Sequence, residues 1–431
     1  MKQAAINFSA IVVALAAAVL TSAPMRAADR TNIILIMADD IGYECYGTYG
    51  GTSYPTPNID RLAANGIRFN HCYSQPLCTP SRVKIMTGKS NVRNYAAFSI
   101  LKKSERTFAH LMRDAGYRTA VAGKWQLYGA EHYKQEFRAQ GVLPEDAGFE
   151  RHCLWQVDKL GNRYWEPSVT IDGELKKFGP DVYGPDVYCQ FLLDRMTEYR
   201  DEPFFLYYPM VLVHSPFLPT PDSADRNSKD KQHNFGDMVT YMDKLIGRIV
   251  NRTAELGIAD RTLVLVTGDN GTHKSLTSMM GDLAVQGGKG SPTDAGTRVA
   301  LVGYQPGRTP KGVVSDRLVE FSDFLPTIAE ASGVSIPTAH DGVSFLAELH
   351  GTEAEPREPI FIYYWPRPER GQPTRFARDQ RWKLYGDGRL IDVQHDVFEK
   401  VPVVGHDEIR TKLQRVLDRM PAEGQTLLRY E

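Results

Sequence analysis

Asn32-Ile33-Ile34-Leu35-Ile36-Met37-Ala38 is a continuous apolar run, and Asp39-Asp40 follows it directly. An unbroken run of this length is typical of a strand that is buried on both faces, as strands are in parallel sheets. Two adjacent acidic residues at the end of a core strand are conspicuous, although strand-terminal Asp residues commonly just cap turns. The stretch therefore predicts a parallel sheet with polar groups where a central strand ends.

The same pattern recurs along the chain, with helices between the strands. Residues 118–122, 204–208 and 262–267 are predicted strands, and residues 211–213 are predicted to extend the second one. Helices are predicted around Ile59 with Asn58 as their cap, at residues 107–115 and at residues 238–256. Residues 130–200 are polar and punctuated by Gly and Pro, and residues 215–232 are predicted to form a surface loop. The alternation indicates an α/β fold, a large and mostly parallel sheet sandwiched by helices.

The pattern changes near residue 355. Apolar segments at residues 359–365, 382–385 and 389–392 predict a small antiparallel sheet, and residues 410–420 predict a closing helix. We therefore expect a large domain at residues 29–355 and a C-terminal α+β subdomain at residues 356–431.

Polar side chains end four of the predicted strands of the large domain. They are Asp39 with Asp40, Lys124, His214, and Asp269 with Asn270. Each of these alone is more simply explained as a cap or as a solvated side chain. In parallel sheets, however, ligands bind at the carboxyl ends of the strands, so we expect these residues to lie together in a functional site.

The acidic cluster predicts a divalent cation. Three carboxylates and an amide are hard oxygen ligands, suited to Ca²⁺ or Mg²⁺, and without a cation the carboxylates would repel one another. Lys289 lies in Gln286-Gly287-Gly288-Lys289-Gly290, where an ammonium and backbone amides can approach an oxyanion, although a solvated loop lysine is the simpler alternative.

The stretch Cys78-Thr79-Pro80-Ser81-Arg82, with Thr87-Gly88 shortly after it, holds a cysteine beside a permanent cation. A guanidinium favours the thiolate, so Cys78 is either reactive or a buried or disulfide-bonded cysteine at a loop-to-helix junction.

This stretch resembles the sulfatase signature, and Asp39-Asp40, Gly123-Lys124-Trp125, His214, Asp269-Asn270 and the Lys289 loop extend the resemblance along most of the chain. The resemblance implies an alkaline phosphatase-like fold and oxidation of Cys78 to formylglycine by a maturation enzyme. It implies that Asp39, Asp40, Asp269 and Asn270 hold calcium together with an oxygen of residue 78. It further implies that Arg82 and Lys124 stabilise the nucleophile, and that Lys124, His214 and Lys289 bind the sulfate.

One position departs from the family pattern. Many sulfatases have Gly-Lys-Trp-His here, but this chain has Gln126. An amide can hold a hydroxyl in place, but it cannot act as a base at neutral pH. Gln126 is therefore expected to bind the nucleophile or substrate without taking a proton.

Composition and the first residues indicate where the protein works. Lys plus Arg total 51 and Asp plus Glu 52, so a nucleic-acid partner is not indicated. Residues 1–28 are predicted to be a cleavable signal peptide; the alternative of a membrane anchor is disfavoured because the apolar run is shorter than the roughly 20 residues of a span. We expect a periplasmic or secreted protein. In an oxidising compartment, Cys45, Cys72, Cys153 and Cys189 could pair in three ways.

The resemblance implies a sulfuric ester hydrolase that acts on a sulfate monoester, with a sulfated carbohydrate as the expected substrate. Polar and aromatic residues after the nucleophile could contact a sugar, or could equally be helix surface: Asn91, Arg93, Asn94, Tyr95 and Phe98. Two alternatives stay open. One is a phosphoester or phosphonate hydrolase of the same superfamily, and the other is a non-catalytic protein that binds sulfated glycans.

Overall fold

The fold consists of alternating strands and helices, described for residues 30–367, 372–422 and 424 of a computed structural model. The strands are β1 (Asn32–Ala38), β2 (Ile67–Tyr73), β3 (Arg118–Lys124), β4 (Arg151–Trp155), β5 (Ser168–Ile171), β6 (Glu174–Lys177), β7 (Phe204–Pro209), β8 (Thr262–Gly268), β9 (Thr277–Met280), β10 (Leu283–Gln286), β11 (Arg298–Val299), β12 (Leu301–Tyr304), β13 (Val313–Glu320), β14 (Ile360–Tyr364), β15 (Thr374–Arg378), β16 (Trp382–Tyr385) and β17 (Leu390–Asp392). The helices are α1 (Pro57–Asn65), α2 (Cys78–Thr87), α3 (Asn91–Asn94), α4 (Phe108–Asp114), α5 (Gly184–Glu198), α6 (Lys231–Glu255), α7 (Asp294–Thr297), α8 (Phe324–Ala331), α9 (Leu346–Leu349) and α10 (Asp407–Asp418).

A mixed sheet of 11 strands forms the core of the large domain, in the order β11-β2-β12-β8-β1-β7-β3-β4-β5-β6, with β13 paired to β2. Its five central strands, from β8 to β4, are parallel. Strands on both flanks join antiparallel. The predicted α/β fold with a mostly parallel central sheet is confirmed.

Strand β1 shows why an unbroken apolar run was needed. Ile34 and Ile36 pack into the core on the side of α1, α5 and α6, whereas Ile33 and Leu35 pack on the side of α2, α4 and α8. Successive side chains of a strand point to opposite faces, and here both faces are covered by helices. Every residue of β1 is buried.

The C-terminal segment forms its own antiparallel sheet, in the order β14-β15-β16-β17. Helix α10 packs Leu413 and Leu417 against apolar side chains of this sheet, such as Phe361. The predicted sheet and closing helix are present, and the sequence missed only β15. The boundary near residue 355 stays a prediction.

Several predicted elements need correction. Helix α6 begins at Lys231 rather than Met238, because the Asp230 side chain accepts hydrogen bonds from the backbone of its first turn. The cap of α1 is Thr56, with Pro57 in the first turn, and Asn58 instead donates to Asp243. Residues 211–213 do not extend β7, and residues 130–200 contain β4, β5, β6 and α5.

The cysteines do not pair. All five cysteines are free and buried, so none of the three possible pairings of Cys45, Cys72, Cys153 and Cys189 is present. The predicted signal peptide lies outside the described residues. Within the described ranges, no helix is long and apolar enough to cross a membrane.

Candidate active site

The acidic residues meet at the carboxyl edge of the central strands. Asp39 and Asp40 follow β1, and Asp269 and Asn270 follow its neighbour β8. The Asp40 backbone is left-handed (φ 60°), which turns the chain so that consecutive carboxylates need not point to opposite faces. The Asp40 amide donates to Asp269 Oδ1 at 2.9 Å, and Asn270 Nδ2 donates to Asp40 Oδ1 at 2.9 Å. The predicted cluster is therefore formed, and it is fully buried.

Two lysines neutralise two of these carboxylates. Lys124, the last residue of β3, places Nζ 3.0 and 2.8 Å from the two oxygens of Asp39. Lys289 places Nζ 2.5 Å from Asp40 Oδ2 and 3.1 Å from His214 Nε2. All of the strand-end groups predicted from the sequence thus converge, although His214 is carried by the irregular segment after β7.

The pKa values follow from burial and from these pairs. Burial would raise the pKa of Asp39 and Asp40, but Lys124, His214 and Lys289 outweigh it and lower both. Burial, followed by repulsion from Asp39, raises the pKa of Asp269 well above its usual range. Of the three carboxylates, Asp39 and Asp40 each have a lysine within hydrogen-bond distance, and no lysine Nζ is that close to Asp269 among the described residues.

The chemistry of the donor set fits a hard divalent cation. Asn270 uses Nδ2 in hydrogen bonds to Asp40 and Gly271, and leaves its buried Oδ1 without a hydrogen-bond partner among the described residues. Ligand atoms of Asp39, Cys78 and Asp269 all lie within 4.8 Å of one another. An orphaned buried oxygen beside three carboxylates is what Ca²⁺ requires.

Cys78 is the first residue of α2 and is 2% exposed. Its Sγ lies 3.6 Å from Gln126 Oε1. Burial raises the pKa of the thiol, so the thiolate that the neighbouring arginine suggested is not favoured. Arg82 is also buried, and its Nη2 donates to the backbone carbonyl of Lys124 at the end of β3.

Gln126 belongs to a small polar network that the sequence did not predict. Its Nε2 donates to the Tyr133 hydroxyl at 2.9 Å, and Gln156 Nε2 donates to the same hydroxyl at 3.1 Å. The Gln156 amide also lies 3.2 Å from His132 Nε2. Gln156 follows β4, the parallel neighbour of β3, so recognition of that strand would have revealed it.

Glycines shape the loop that carries Lys289. A Cβ on Gly287 would lie 2.3 Å from the His273 carbonyl, and one on Gly288 would lie 2.4 Å from the Ala295 backbone. The loop therefore packs where only glycine fits, and the Lys289 amide donates to the Thr272 carbonyl at 2.9 Å. This lysine is not the solvated loop residue of the simpler alternative.

Most of the residues after the nucleophile serve the fold. The side chains of Asn91 and Asn94 donate to Pro80 and Thr87, and Arg93 pairs with Asp341. Tyr95 donates to the Pro366 carbonyl. Phe98 lies beside the ring of Tyr133, with the centroids 6.4 Å apart, so it alone of these five borders the Gln126 network.

Comparison with known proteins gives one consistent family. The family model described as Sulfatase matches residues 31–334. The chain is 32% identical over 379 residues to "Arylsulfatase A" of Homo sapiens, covering 79% of this chain and 72% of that protein. It is 29% identical over 393 residues to "N-acetylgalactosamine-6-sulfatase" of Canis lupus familiaris, covering 80% of this chain and 71% of that protein. Among solved structures, Ps i-CgsB superposes with a TM-score of 0.77 at 24% identity, covering 92% of this chain and 94% of that one.

Proposed function

This chain belongs to the sulfatase family, a family of sulfuric ester hydrolases, and on that premise we propose that it hydrolyses a sulfate monoester of a carbohydrate at residue 78. The observation that carries the proposal is the arrangement around Cys78. Lys124, His214 and Lys289 approach from three separate segments, above a cluster of carboxylates at the same sheet edge. A site for a sulfate ester needs positive groups such as these two lysines, because negative charge develops on the ester oxygens as the bond breaks.

The residues of the chain have distinct roles in this proposal. Formylglycine made from Cys78 would supply, as its hydrate, the hydroxyl that attacks sulfur. Arg82, on the same helix as residue 78, donates to the Lys124 carbonyl and so ties the start of α2 to the end of β3, where Lys124 lies. Lys124 and Arg82 thus stabilise the nucleophile. His214 and Lys289, 3.1 Å apart, face the sulfate and can protonate the departing alcohol.

We propose Asp39, Asp40, Asp269 and Asn270 as calcium ligands, with an oxygen of residue 78. The cation would neutralise the carboxylates and strengthen the field that attracts the sulfate. The orphaned Asn270 Oδ1 and the raised pKa of Asp269 support this assignment.

Gln126 gives the site its particular character. Its Oε1 faces residue 78 and can accept a hydrogen bond from the nucleophile's hydroxyl, while its Nε2 is held by Tyr133. No imidazole stands at position 126 to take that proton, so Gln126 positions the hydroxyl without ionising it.

The substrate class, the cellular location and the division into domains belong to the same proposal. A relative named for an N-acetylgalactosamine 6-sulfate supports a sulfated carbohydrate. Residues 1–28 are proposed as a signal peptide for export to the periplasm or the medium, residues 29–355 as the catalytic domain and residues 356–431 as the C-terminal subdomain. Export would bring the chain to its glycan substrate.

Substitution of the nucleophile's precursor tests the reaction. We expect Cys78→Ala to abolish sulfate ester hydrolysis, because alanine cannot be converted into the attacking group. Turnover of an aryl sulfate and of a sulfated oligosaccharide measures this, with Cys189→Ala, a buried cysteine on α5, as the matched control. Activity retained by Cys78→Ala would contradict the proposal.

The two alternatives are separated by two further measurements. The intact mass of the peptide containing Cys78, from protein made in its native host, distinguishes formylglycine from a thiol. An unmodified thiol would favour a protein that binds sulfated glycans without cleaving them. A higher kcat/KM for an aryl phosphate than for an aryl sulfate would favour a phosphoester hydrolase.

A further inference from the structure

A cavity of about 590 Å³ opens beside His214, and the charged side chains in its lining are the cations Arg163, Lys229 and Lys231. His214 and His273 also line it, and neither Asp nor Glu lines this cavity among the described residues. A concave site with several positive groups and no carboxylate attracts anions. The cavity is separate from the buried carboxylate cluster but shares His214 with the proposed sulfate site.

Arg163 is the most informative of these residues. Across the described part of the chain, its guanidinium has neither an ion pair nor a side-chain hydrogen bond, and its Nη1 is buried without a partner. An unpaired buried donor of a charged group costs free energy, and a bound oxyanion would relieve that cost. The Arg163 guanidinium therefore has no carboxylate partner among the described residues, and its Nη1 can donate to a bound anion.

Stacking holds Arg163 in place. Its Cζ lies 3.8 Å from the centroid of the Trp155 ring, at the end of β4. A guanidinium stacked in this way keeps its N–H donors in the plane of the group, where they can meet a planar carboxylate or a sulfate in paired hydrogen bonds. The arginine is thus preorganised before an anion arrives.

The cavity continues away from the proposed sulfate site. Arg163, Pro216 and Leu218 also line a second cavity of about 620 Å³, whose other walls include the aromatic rings of Tyr164 and Trp165. Arg163 therefore lies in the wall shared by the two cavities, of which the first also contains His214 and the second also contains Glu166. A substrate longer than one sugar has room on this side.

We propose that Arg163 is the centre of a second anion subsite, which binds a carboxylate or sulfate on the sugar next to the one that carries the scissile ester. This inference rests on the proposed function and narrows its substrate class to polyanionic glycans. Lys229 and Lys231 are exposed at the rim of the cavity, so they attract such a chain at long range without holding one particular group.

Arg163→Gln tests the subsite because it removes the charge and keeps most of the volume. Three disaccharides with the same scissile sulfate are compared: one with a neutral neighbouring sugar, one with a uronate and one with a second sulfate ester. We expect the ratio of kcat/KM for an anionic disaccharide to that for the neutral one to fall about 10- to 100-fold, mainly through KM, since charged hydrogen bonds have that strength. Arg163→Lys should recover part of the ratio.

Arg226→Gln is the matched control. Arg226 also lies over a tryptophan, 4.2 Å from the Trp165 ring, but it does not line the cavity beside His214. It should leave the ratio unchanged. A loss confined to the uronate or to the second sulfate identifies which anion the subsite receives, and both results support it.

Binding measurements separate the subsite from the reaction. Calorimetry with the Cys78→Ala protein should show the same Arg163-dependent loss of affinity for the anionic disaccharides. If these bind in that way while no sulfate ester is hydrolysed by the parent, the proposed function fails and the subsite stands. Equal affinities and equal ratios for the parent and Arg163→Gln would overturn the subsite.

Discussion

At the scale of the residue, Gln126 sets this chain apart from the family pattern. A hydrogen bond from Nε2 to the Tyr133 hydroxyl orients the side-chain amide of Gln126, so that Oε1 points towards Cys78. A histidine at this position could take a proton from the nucleophile's hydroxyl, which glutamine cannot do. The residue at position 126 therefore determines whether the nucleophile's hydroxyl has a base beside it or only a hydrogen-bond acceptor that orients it.

Gln126→His is expected to raise kcat by roughly tenfold, below the ~10²–10⁴-fold that a well-placed general base contributes, because the Tyr133 hydroxyl is positioned for the longer glutamine amide and not for an imidazole. Calcium affinity should stay at the parent value, since position 126 is not among the proposed ligands. Steady-state kinetics with an aryl sulfate measures the change, and Gln140→His, at an exposed loop position, is the control. A kcat within error of the parent would show that position 126 does not touch the chemistry.

The site residues that the sequence revealed are those next to long apolar strands. Asp39, Lys124 and Asp269 could be predicted because each follows an unmistakable buried run. Tyr133 and Arg163 could not, because they lie in irregular segments whose return to the sheet edge depends on tertiary packing. The spacing of residues along the chain does not predict which loop residues pack near the active site.

At the scale of the element, the C-terminal sheet is joined to the segment after the Lys289 loop by one buried ion pair and by hydrogen bonds. Arg378 of β15 pairs with Asp294, and Lys383 of β16 lies 2.8 Å from Glu399 Oε2 and donates to the Pro292 carbonyl. Residues 292–294 follow the Lys289 loop closely in the chain. The sheet thus supports the segment that presents Lys289 to the proposed sulfate site.

Lys383→Met is expected to destabilise the protein by about 3 kcal/mol, because it leaves the buried carboxylate of Glu399 with hydrogen bonds from Tyr385 and Asp294 but without its counter-ion. The side chains are 0% and 1% exposed, so solvent cannot screen the loss. Denaturant unfolding measures it, and adding Glu399→Leu should restore much of the stability. The exposed pair of Lys244 and Asp222 is the control: Lys244→Met should change stability by less than about 0.5 kcal/mol.

Elements with one strong periodic signal were predicted well, and those with mixed signals were not. Strand β8 and helix α4 fall within a residue or two of their predicted limits. Helix α5 was missed because Gly184 and Pro185 open it, in a region where Gly and Pro otherwise mark turns. Here Pro185 occupies the first turn, where its missing amide proton costs nothing.

At the scale of the whole molecule, the net charge is only −1, yet charged side chains are concentrated at the carboxyl edge of the central sheet. The central parallel strands and the segments after them carry acids, Lys124 and an imidazole to one end of the sheet, and the loop after β10 adds Lys289. Because Asp39 and Asp269 follow the two neighbouring strands β1 and β8, a cation held between them would tie the middle of the sheet together. Calcium and fold stability should therefore be linked.

Removal of calcium is expected to lower the melting temperature by roughly 2–5 °C, because a ligand present at about 100 times its dissociation constant stabilises the native state by about 2.7 kcal/mol. Thermal unfolding with a chelator, and then with calcium or magnesium restored, measures the shift, and calcium should restore more of it. Asp269→Ala should unfold at a temperature that no longer responds to calcium. Asp222→Ala, on the surface, should keep the response.

The burial of Cys78 turns maturation into a question of timing. The residue is 2% exposed and is the first residue of a helix that is buried along its whole length. In the folded chain the thiol is therefore inaccessible to a modifying enzyme. If residue 78 is converted to formylglycine as proposed, the conversion must take place before folding buries the residue. A molecule that folds before conversion keeps its cysteine for as long as it stays folded. One preparation would then contain two populations with the same fold, of which only the converted one is active.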